Sequence, residues 1–531
     1  MIILINLITI MNYYKEYVTL DSSETGYIES KENKFYVNGK EVTNNRGCPG
    51  DEVILNNLEV VDIKNRNKRK IIGIIDCNAK YKISILDRRG KTKIFHVFSP
   101  LDHNYSKFYV SCNIKNKQGL LYALIEFQKW PVHTKYPFGS LIEFIGQLGN
   151  IQDDLVAYMY YCDIFKPTYR IQKERMKEHQ KIIESIQKED YEIFTIDPEG
   201  SKDLDDGFHF KQEDNLIEIG IHIACPSFFL NQEEDLSEIV SRCSTIYSFK
   251  NFHLIPNKYS TDLCSLLENT NRKTLCFILK FREDSLIEKE IKICDVKVKK
   301  NYKYEEFQIN NEKEFQFFSA KYFREELDSH QLVEKWMIHA NCLIVEHCQN
   351  LKLENIIVRV HKKNEHFLKN NSLLEKYLHQ KNENKATYEI LTKEQEQEHS
   401  KMGCLYTHFT SPIRRAIDFI LQTMIINNLK IKNMENIILQ VNNHQKKIKK
   451  FYNIQKKIQF IHNHKEDKIT SKAYIIKLKE EYTKLYCQEY DFEIKYYKMV
   501  DKYQELEEVN IEIYLFPFEI HLKKKIQVKI I

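Results

Sequence analysis

Along the first third of the chain, apolar positions recur at every second residue in short runs. "KFYVNGKEV", "DEVILNNLEVVDI", "KIIGIIDC" and "YKISILD" are parted by Asn, Asp and Gly. Such alternation turns one face of a strand inward and the other to water, and runs this short predict small β barrels. Two fit, over 14–62 and 63–165, behind an N-terminal extension at 1–13. The period then changes. "YRIQKERMKEHQKIIESIQKEDY" predicts a connector helix, and from Glu192 to about Asp467 strands alternate with amphipathic helices. In "QLVEKWMIHANCLIVEHC", Leu332, Trp336, Met337 and Ala340 share one helix face, a stripe that belongs to the core. Alternation returns in "AYIIKLKEEYTKLYCQEYDFEIKYYKMV" and "VNIEIYLFPFEIHLKKKIQVKII", a last barrel over 468–531. The pattern predicts an α+β multidomain chain: two N-terminal OB-like barrels, a central α/β domain over 166–467 that includes the connector helix, and a small C-terminal OB-like barrel.

Composition changes this little. With 531 residues, 42% of them apolar, the chain can build several cores, and a net charge of +5 is small for its size. The local charge pattern is more informative. "KNRNKRK" at Lys64 to Lys70, "HQKKIKKFYNIQKKIQFIHNHK" at His444 to Lys465 and "HLKKKIQVK" are basic, and the second interleaves aromatics. That mixture suits single-stranded nucleic acid, with solvated helix faces as the alternative. Thirteen cysteines, odd in number and without a CxxC pair, point to a reducing compartment and give no zinc framework. His347 and Cys348 are adjacent, which is not ligand spacing. The opening "MIILINLITI" is too short to span a bilayer and lacks a basic leader, and Met11 is an alternative start. The expectation is a soluble intracellular protein, nuclear or cytoplasmic, without a membrane partner.

Chemistry concentrates in "TIDPEGSKDLDDGFHF", Thr195 to Phe210, where Asp197, Asp203, Asp205 and Asp206 fall within ten residues. Two carboxylates about 4 Å apart repel by roughly 4 kcal/mol at an effective dielectric near 20, so a compact group favours protons or cations. A wet surface run is the alternative. The flanks "YEIFTI" and "LIEIGIHIA", however, read as buried strands that hold the loop between core elements. A calcium loop fails, since Gly207 is fifth from Asp203 rather than sixth and the flanks are not helical. A hard-cation carboxylate site of the kind that holds Mg²⁺ beside a phosphate remains.

"YTHFTSPIRRAIDFI", Tyr406 to Ile420, supplies a second group. Ser411 then Pro412 predicts a helix start, with Arg414 and Arg415 in the first turn, where the macrodipole disfavours cations by some tenths of a kcal/mol. Pairing of Asp418 with Arg414 would offset that. So would an anion held by the exposed N–H groups with Arg414 and Arg415.

"IDPEGSKDLDDG", "IGIHIACPSFF", "IPNKYSTDLCSL" and "YTHFTSPIRR", in this order, resemble the RNase II/RNase R (RNB) family of processive 3′–5′ exoribonucleases. The resemblance runs from about Asn45 to beyond Asp418. "NNRGCPGDEV" is similar to the end of the family's first cold-shock barrel, and Trp130 to Asp154 resembles eukaryotic members, particularly the exosome's catalytic subunit. The resemblance implies cold-shock barrels at 14–62 and 63–165, an RNB domain at 166–467 and a degenerate RNA-binding barrel at 468–531. It further implies that Asp197, Asp203, Asp205 and Asp206 hold two magnesium ions, with manganese able to substitute, and that Arg414 contacts the scissile phosphate. Tyr247 in "RCSTIY" and Tyr304 in "NYKYEEF" match aromatics lining the nucleotide cavity. Glu334 in "QLVEKWM" matches the first acid of a family Glu–Glu pair whose second position is Lys335 here. The interval from Tyr304 to Glu334 and the stretch before Tyr406 are short for the family, and a downstream family glutamate aligns with Tyr452. The expectation is that no PIN domain precedes the first barrel.

The leading expectation is a Mg²⁺-dependent exoribonuclease, active as a monomer on single-stranded RNA, releasing nucleoside 5′-monophosphates from the 3′ end. It would act with exosome ring subunits as partners or as a free-standing RNase. The rival is an RNA-binding protein on an inactive RNB scaffold.

Overall fold

The computed structural model describes residues 24–31, 34–79, 83–86, 92–112, 118–186, 189–310, 312–361, 374, 377, 385–392, 398–427, 430–464, 468–498, 500 and 502–531. The expected extension at 1–13 lies outside them. The chain divides into two compact units, Met1–Phe165 with Phe451–Ile531, and Lys166–Lys450.

The first unit is built from short strands, as the alternation predicts. Glu24–Tyr27, Glu52–Asn56 and Glu59–Asn65 form one three-stranded sheet, and Glu29–Lys31, Lys34–Val37 and Lys40–Val42 another. The two share the buried side chains Ile28, Val37, Val42, Val53, Leu55 and Val60. Asn38 and Gly39 both take positive φ, at 51° and 79°, as a two-residue type I′ hairpin requires. Next, Ile71–Asp76, Thr92–Pro100, Phe108–Ser111, Phe138–Gln147 and Leu120–Lys129 pair in a ring that returns to Ile71–Asp76. Lys468–Lys479 begins a five-stranded antiparallel sheet that runs to Ile526–Ile530. The basic run from His444 lies on the helix Met434–Asn463, where Phe451 and Phe460 are buried, so two of its aromatics serve packing.

The second unit holds a closed barrel of β1 (Tyr191–Asp197), β2 (Asp206–Glu213), β3 (Leu216–Ala224), β4 (Asn271–Arg282) and β5 (Ser285–Lys303). The neighbours are antiparallel except β1 and β5, which close the barrel in parallel. Ile193, Ile219, Ile221, Ile223 and Leu275 supply the β-branched and aliphatic surface that favours strands. Helices cover it: α1 (Lys173–Glu184), the expected connector; α2 (Glu233–Arg242); α3 (Lys313–Phe323); α4 (Ser329–Asn350); and α5 (Ala416–Asn427). Asp328 caps α4 through a capping box, accepting the Gln331 N–H at 2.8 Å while its own N–H donates to the Gln331 side chain at 3.0 Å. The predicted α4 stripe is core: Leu332, Trp336 and Ala340 are buried and Met337 packs beside them. Trp336 seats its ring against Phe281 and Phe315 and donates its indole N–H to Ser319 at 3.0 Å. Among the described residues no helix is long and apolar enough to cross a membrane.

Candidate active site

The acidic segment connects the end of β1, at Asp197, to the start of β2, at Asp206. Gly200 turns the loop at φ 79°, a conformation that costs glycine little. Leu204 then pins it: its side chain is buried, its N–H donates to Ser265 Oγ at 3.0 Å and its carbonyl accepts from Leu266 at 3.1 Å. With Leu204 held inward, Asp203 and Asp205 reach different partners. Asp203 accepts the Tyr247 hydroxyl at 2.5 Å. Asp205, 2% exposed, accepts the Ile413 N–H at 2.8 Å and lies 3.1 Å from Arg414 Nε.

The segment carrying those partners departs from the sequence reading. Ser411 does not cap a helix; α5 begins at Ala416. The reason is competition for the backbone. Thr245 donates to the Arg414 carbonyl at 3.0 Å, Ala416 donates to Cys243 at 2.9 Å, and Ile413 donates to Asp205, so residues 411–415 form a turn bonded to other elements. Asp418 pairs with Arg415 rather than Arg414. The Arg415 guanidinium makes bonds of 3.0, 3.0 and 2.6 Å to it, and Asp418 also accepts the Ser411 N–H at 2.8 Å. The structure therefore commits Arg415 to an internal pair. Arg414 keeps its side chain 45% exposed, held by Asp205 and by a 3.1 Å bond to Ser411 Oγ.

Burial acts on the carboxyls. Desolvation, then the charge of Asp206, pushes Asp197 up to about 7 despite a bond from Thr195 and the opposing pull of Arg414. Asp206 rises to about 6, again by burial, with Arg414 and Arg415 opposing. Asp205 is raised well above the ordinary range by burial, against the pull of Arg414 and the Ile413 bond. Such acids hold protons that a cation can displace. Asp197 Oδ2 is buried without a hydrogen-bond partner, and Asp205 Oδ2, buried as well, faces Arg414 Nε at 3.1 Å. Hard oxygens left in this state suit Mg²⁺. The four carboxylates are nonetheless held apart, since no three bring oxygens within 4.8 Å of one another. Sharing an ion requires them to draw inward.

The remaining expected residues are placed as follows. Tyr247, 37% exposed, stands over Asp203 at the edge of a depression of about 630 Å³ that also includes Lys202, Lys250 and His253. Tyr304 stacks on His330 with centroids 3.7 Å apart. Burial raises its hydroxyl to about 12, and the charges of Asp206 and Asp197 push the same way, which ties it to the acidic group. Glu334 lies exposed on α4, and Lys335 pairs with Glu325 at 3.0 Å. Among the described residues no hydrogen bond or ion pair joins Glu334 to the aspartates. Sequence reasoning missed the Ile413 N–H, since a backbone donor has no residue signature. It also missed Asn341, which accepts from the Phe409 N–H at 2.8 Å and bonds the Tyr406 hydroxyl at 3.1 Å, fixing the strand of chain that leads to Arg414.

A family model described as RNB domain matches residues 187–319 and 306–431. Ribonuclease R 2 of Lactococcus lactis is 25% identical over 284 residues, 50% of this chain and 41% of that protein. The exosome complex exonuclease RRP44 of mouse is 24% identical over 220 residues, 38% of this chain and 22% of that protein. The chain thus spans well under half the length of these relatives. In fold, Mycoplasma genitalium RNase R, solved in complex with ribose-methylated single-stranded RNA, matches 96% of this chain and all of its own with a TM-score of 0.71 at 14% identity. Yeast Ssd1, described as a pseudonuclease, matches 95% of this chain and 82% of its own with a TM-score of 0.61 at 12% identity. These likenesses establish the fold.

Proposed function

The chain carries an RNB domain over residues 187–431 and belongs through it to the RNB family; on that premise we propose that it is a Mg²⁺-dependent hydrolytic 3′–5′ exoribonuclease that shortens single-stranded RNA to nucleoside 5′-monophosphates. One observation carries the reading. Asp205 is bonded at once to the Ile413 N–H and to Arg414, which brings the acidic loop and an exposed guanidinium, more than 200 residues apart in sequence, onto one site. A scaffold used only for binding has no need to keep buried acids in a costly, proton-holding state beside an arginine whose side chain is 45% exposed. The pseudonuclease relative in fold makes an inactive scaffold the rival reading, and the presence of all four aspartates with Arg414 favours catalysis.

Asp197, Asp203, Asp205 and Asp206 would hold the metal, which supplies charge neutralisation at the phosphodiester and a more acidic attacking water. The chain's own groups do the rest. Arg414 faces the phosphate with its unengaged guanidinium edge and stabilises charge developing on the phosphoryl oxygens. Tyr247 orients Asp203 through its hydroxyl, and its ring, with that of Tyr304, offers a flat apolar face to a terminal base. Arg415 and Asp418 hold the turn that aims Arg414. Manganese would serve in place of magnesium by the same oxygen chemistry. Assembly with exosome ring subunits, and a role in rRNA processing, rest on the Trp130–Asp154 resemblance and the mouse relative. A free-standing intracellular RNase is the alternative. Affinity capture of ring subunits by the tagged chain separates the two.

The activity test is incubation of the purified chain with 5′-labelled single-stranded RNA and Mg²⁺. A ladder shortening from the 3′ end is expected for the wild type and not for Asp205→Asn. Equal, inert binding by both would establish the scaffold reading instead.

A further inference from the structure

Three residues after Asp206, β2 carries His209, whose ring is 2% exposed. His222 on β3 is fully buried and sets its Nε2 2.7 Å from His209 Nδ1. Cys276 on β4, directly opposite His222 in register, places its Sγ 3.4 Å from the same Nε2. These three ligand atoms lie within 4.8 Å of one another, the one such group of His, Cys, Asp or Glu among the described residues.

We propose that His209 Nδ1, His222 Nε2 and the Cys276 thiolate form a structural Zn²⁺ site inside the barrel, with the Cys294 thiolate as fourth ligand. Two imidazoles and a sulfur are borderline-soft donors that select zinc over the hard cations suited to the aspartates. The outer partners already stand where a metal site needs them. His209 Nε2 lies 3.3 Å from Glu218, and His222 Nδ1 lies 3.0 Å from the Thr274 hydroxyl. A ligating imidazole donates its other N–H to such a group, which fixes the tautomer and aims the lone pair. On loading, His209 keeps its proton on Nε2 toward Glu218, and His222 carries its proton on Nδ1 toward Thr274. The thiols give theirs to solvent.

For His209, His222 and Cys276 the geometry is close to closure. Tetrahedral bonds of about 2.0–2.1 Å to nitrogen and 2.3 Å to sulfur set the nitrogens about 3.3 Å apart and the sulfur about 3.6 Å from each. The observed 2.7 and 3.4 Å need only a small outward motion of the rings. Gly220 makes the ring position possible, since a Cβ there would fall 2.1 Å from His209 Cε1 and 2.2 Å from its Nδ1. Cys294 on β5 is 1% exposed, with its Sγ 4.0 Å from the Lys292 carbonyl and outside the group of three, so it supplies the fourth ligand only by turning toward Cys276 on loading. Two thiolates cancel the two charges of zinc, and a neutral complex is the one a buried site tolerates. The ion would thus pin four of the five strands, on the barrel whose β2 begins with Asp206.

The experiment is titration of the purified, chelator-stripped chain with Co²⁺ and then Zn²⁺, read by absorption. About one equivalent of cobalt should give tetrahedral d–d bands with a thiolate charge-transfer band, both bleached by zinc. The bands should survive in Asp205→Asn, because oxygen ligands give no thiolate transition, lose charge-transfer intensity in Cys276→Ser, and vanish when Cys294→Ser is added to it. A folded wild type that shows only the weak spectrum of an oxygen site overturns the proposal, as do bands of unchanged intensity in Cys276→Ser. Should Cys276→Ser fail to fold, X-ray absorption of the zinc-titrated wild type decides. A shell of imidazole nitrogen and sulfur upholds the site, and a shell of oxygen alone refutes it.

Discussion

Two neighbouring polar regions of the second unit are built to opposite rules. At the rim, Asp197 keeps a buried oxygen without a hydrogen bond, Asp205 turns a buried oxygen to Arg414, Asp197 and Asp206 hold their protons to about 7 and 6, and Arg414 leaves much of its side chain in solvent. Beneath it, three buried side chains have their bonds made. Asp418 takes Arg415 and the Ser411 N–H; Gln422 accepts the Ser227 hydroxyl at 2.7 Å and donates to the Ala224 carbonyl at 2.9 Å; Asn341 holds Phe409 and Tyr406. A buried polar group with all its bonds made specifies a structure, whereas one left with bonding capacity marks where something else must bind. The adjacent arginines divide along this line: Arg415 is an anchor and Arg414 a tool.

If that division is right, rim variants lose activity and keep their fold, and anchor variants do the reverse. The largest effect belongs to Asp205→Asn. It retains an acceptor for Ile413 but removes a charged metal ligand, so turnover should fall by several kcal/mol of transition-state stabilisation, about 10³-fold or more. Its melting temperature should hold or rise, because a costly buried acid is gone. Asp418→Asn should destabilise by about 3–5 kcal/mol, leaving Arg415 as an unpaired cation with fewer acceptors. Denaturant unfolding measures it, and turnover per folded molecule should be nearly unchanged. A stable Asp418→Asn with lost turnover would erase the distinction.

Arg414→Lys comes next. Loss of the planar fork should cost about 10²–10³ in kcat, the scale for one donor aimed at developing charge, with a smaller change in KM. Below it stands a pH effect with a definite sign. A carboxyl whose folded pKa is raised binds more protons folded than unfolded, so its contribution to stability is present at low pH and lost as pH climbs from the ordinary carboxyl range to about 7. In chelator the melting temperature should therefore fall across that window more for the wild type than for Asp197→Asn. Added Mg²⁺ should restore the difference at pH 7.5 and have little effect at pH 5, where protons occupy the ligands.

How much of this could be read beforehand depended on whether the signal was local. The alternating runs gave the short strands and the α4 stripe gave core, because each is decided within a few residues. The acidic loop was legible since its charge is concentrated and its flanks are apolar. The helix start at Ser411 was not. Three backbone groups of 411–416 bond to residues far away in sequence, and tertiary partners overrode a good local cap. The role of Arg415 failed for the same reason, as nothing in "SPIRRAID" says which arginine Asp418 will take. His209, His222 and Cys276 were invisible as a group because strand register, not spacing, brings them together.

The smallest effect tests the rim at its edge. Tyr247 does two jobs, donating its hydroxyl to Asp203 and presenting a ring beside the depression next to the acidic loop. Tyr247→Phe removes only the first. A hydrogen bond to a charged partner contributes about 1.5–3 kcal/mol when buried, but Asp203 here has solvent to replace the lost donor, so a cost nearer 1 kcal/mol, about fivefold in kcat/KM, is expected. Tyr247→Ala removes the ring as well and should cost about 1–3 kcal/mol more, mostly in KM, if a base stacks there. Parallel measurement of both variants on oligoribonucleotides of equal length sharpens the division between rim and anchor. Equal losses in the two, with KM untouched, would make Tyr247 a positioning residue alone and transfer base stacking to Tyr304.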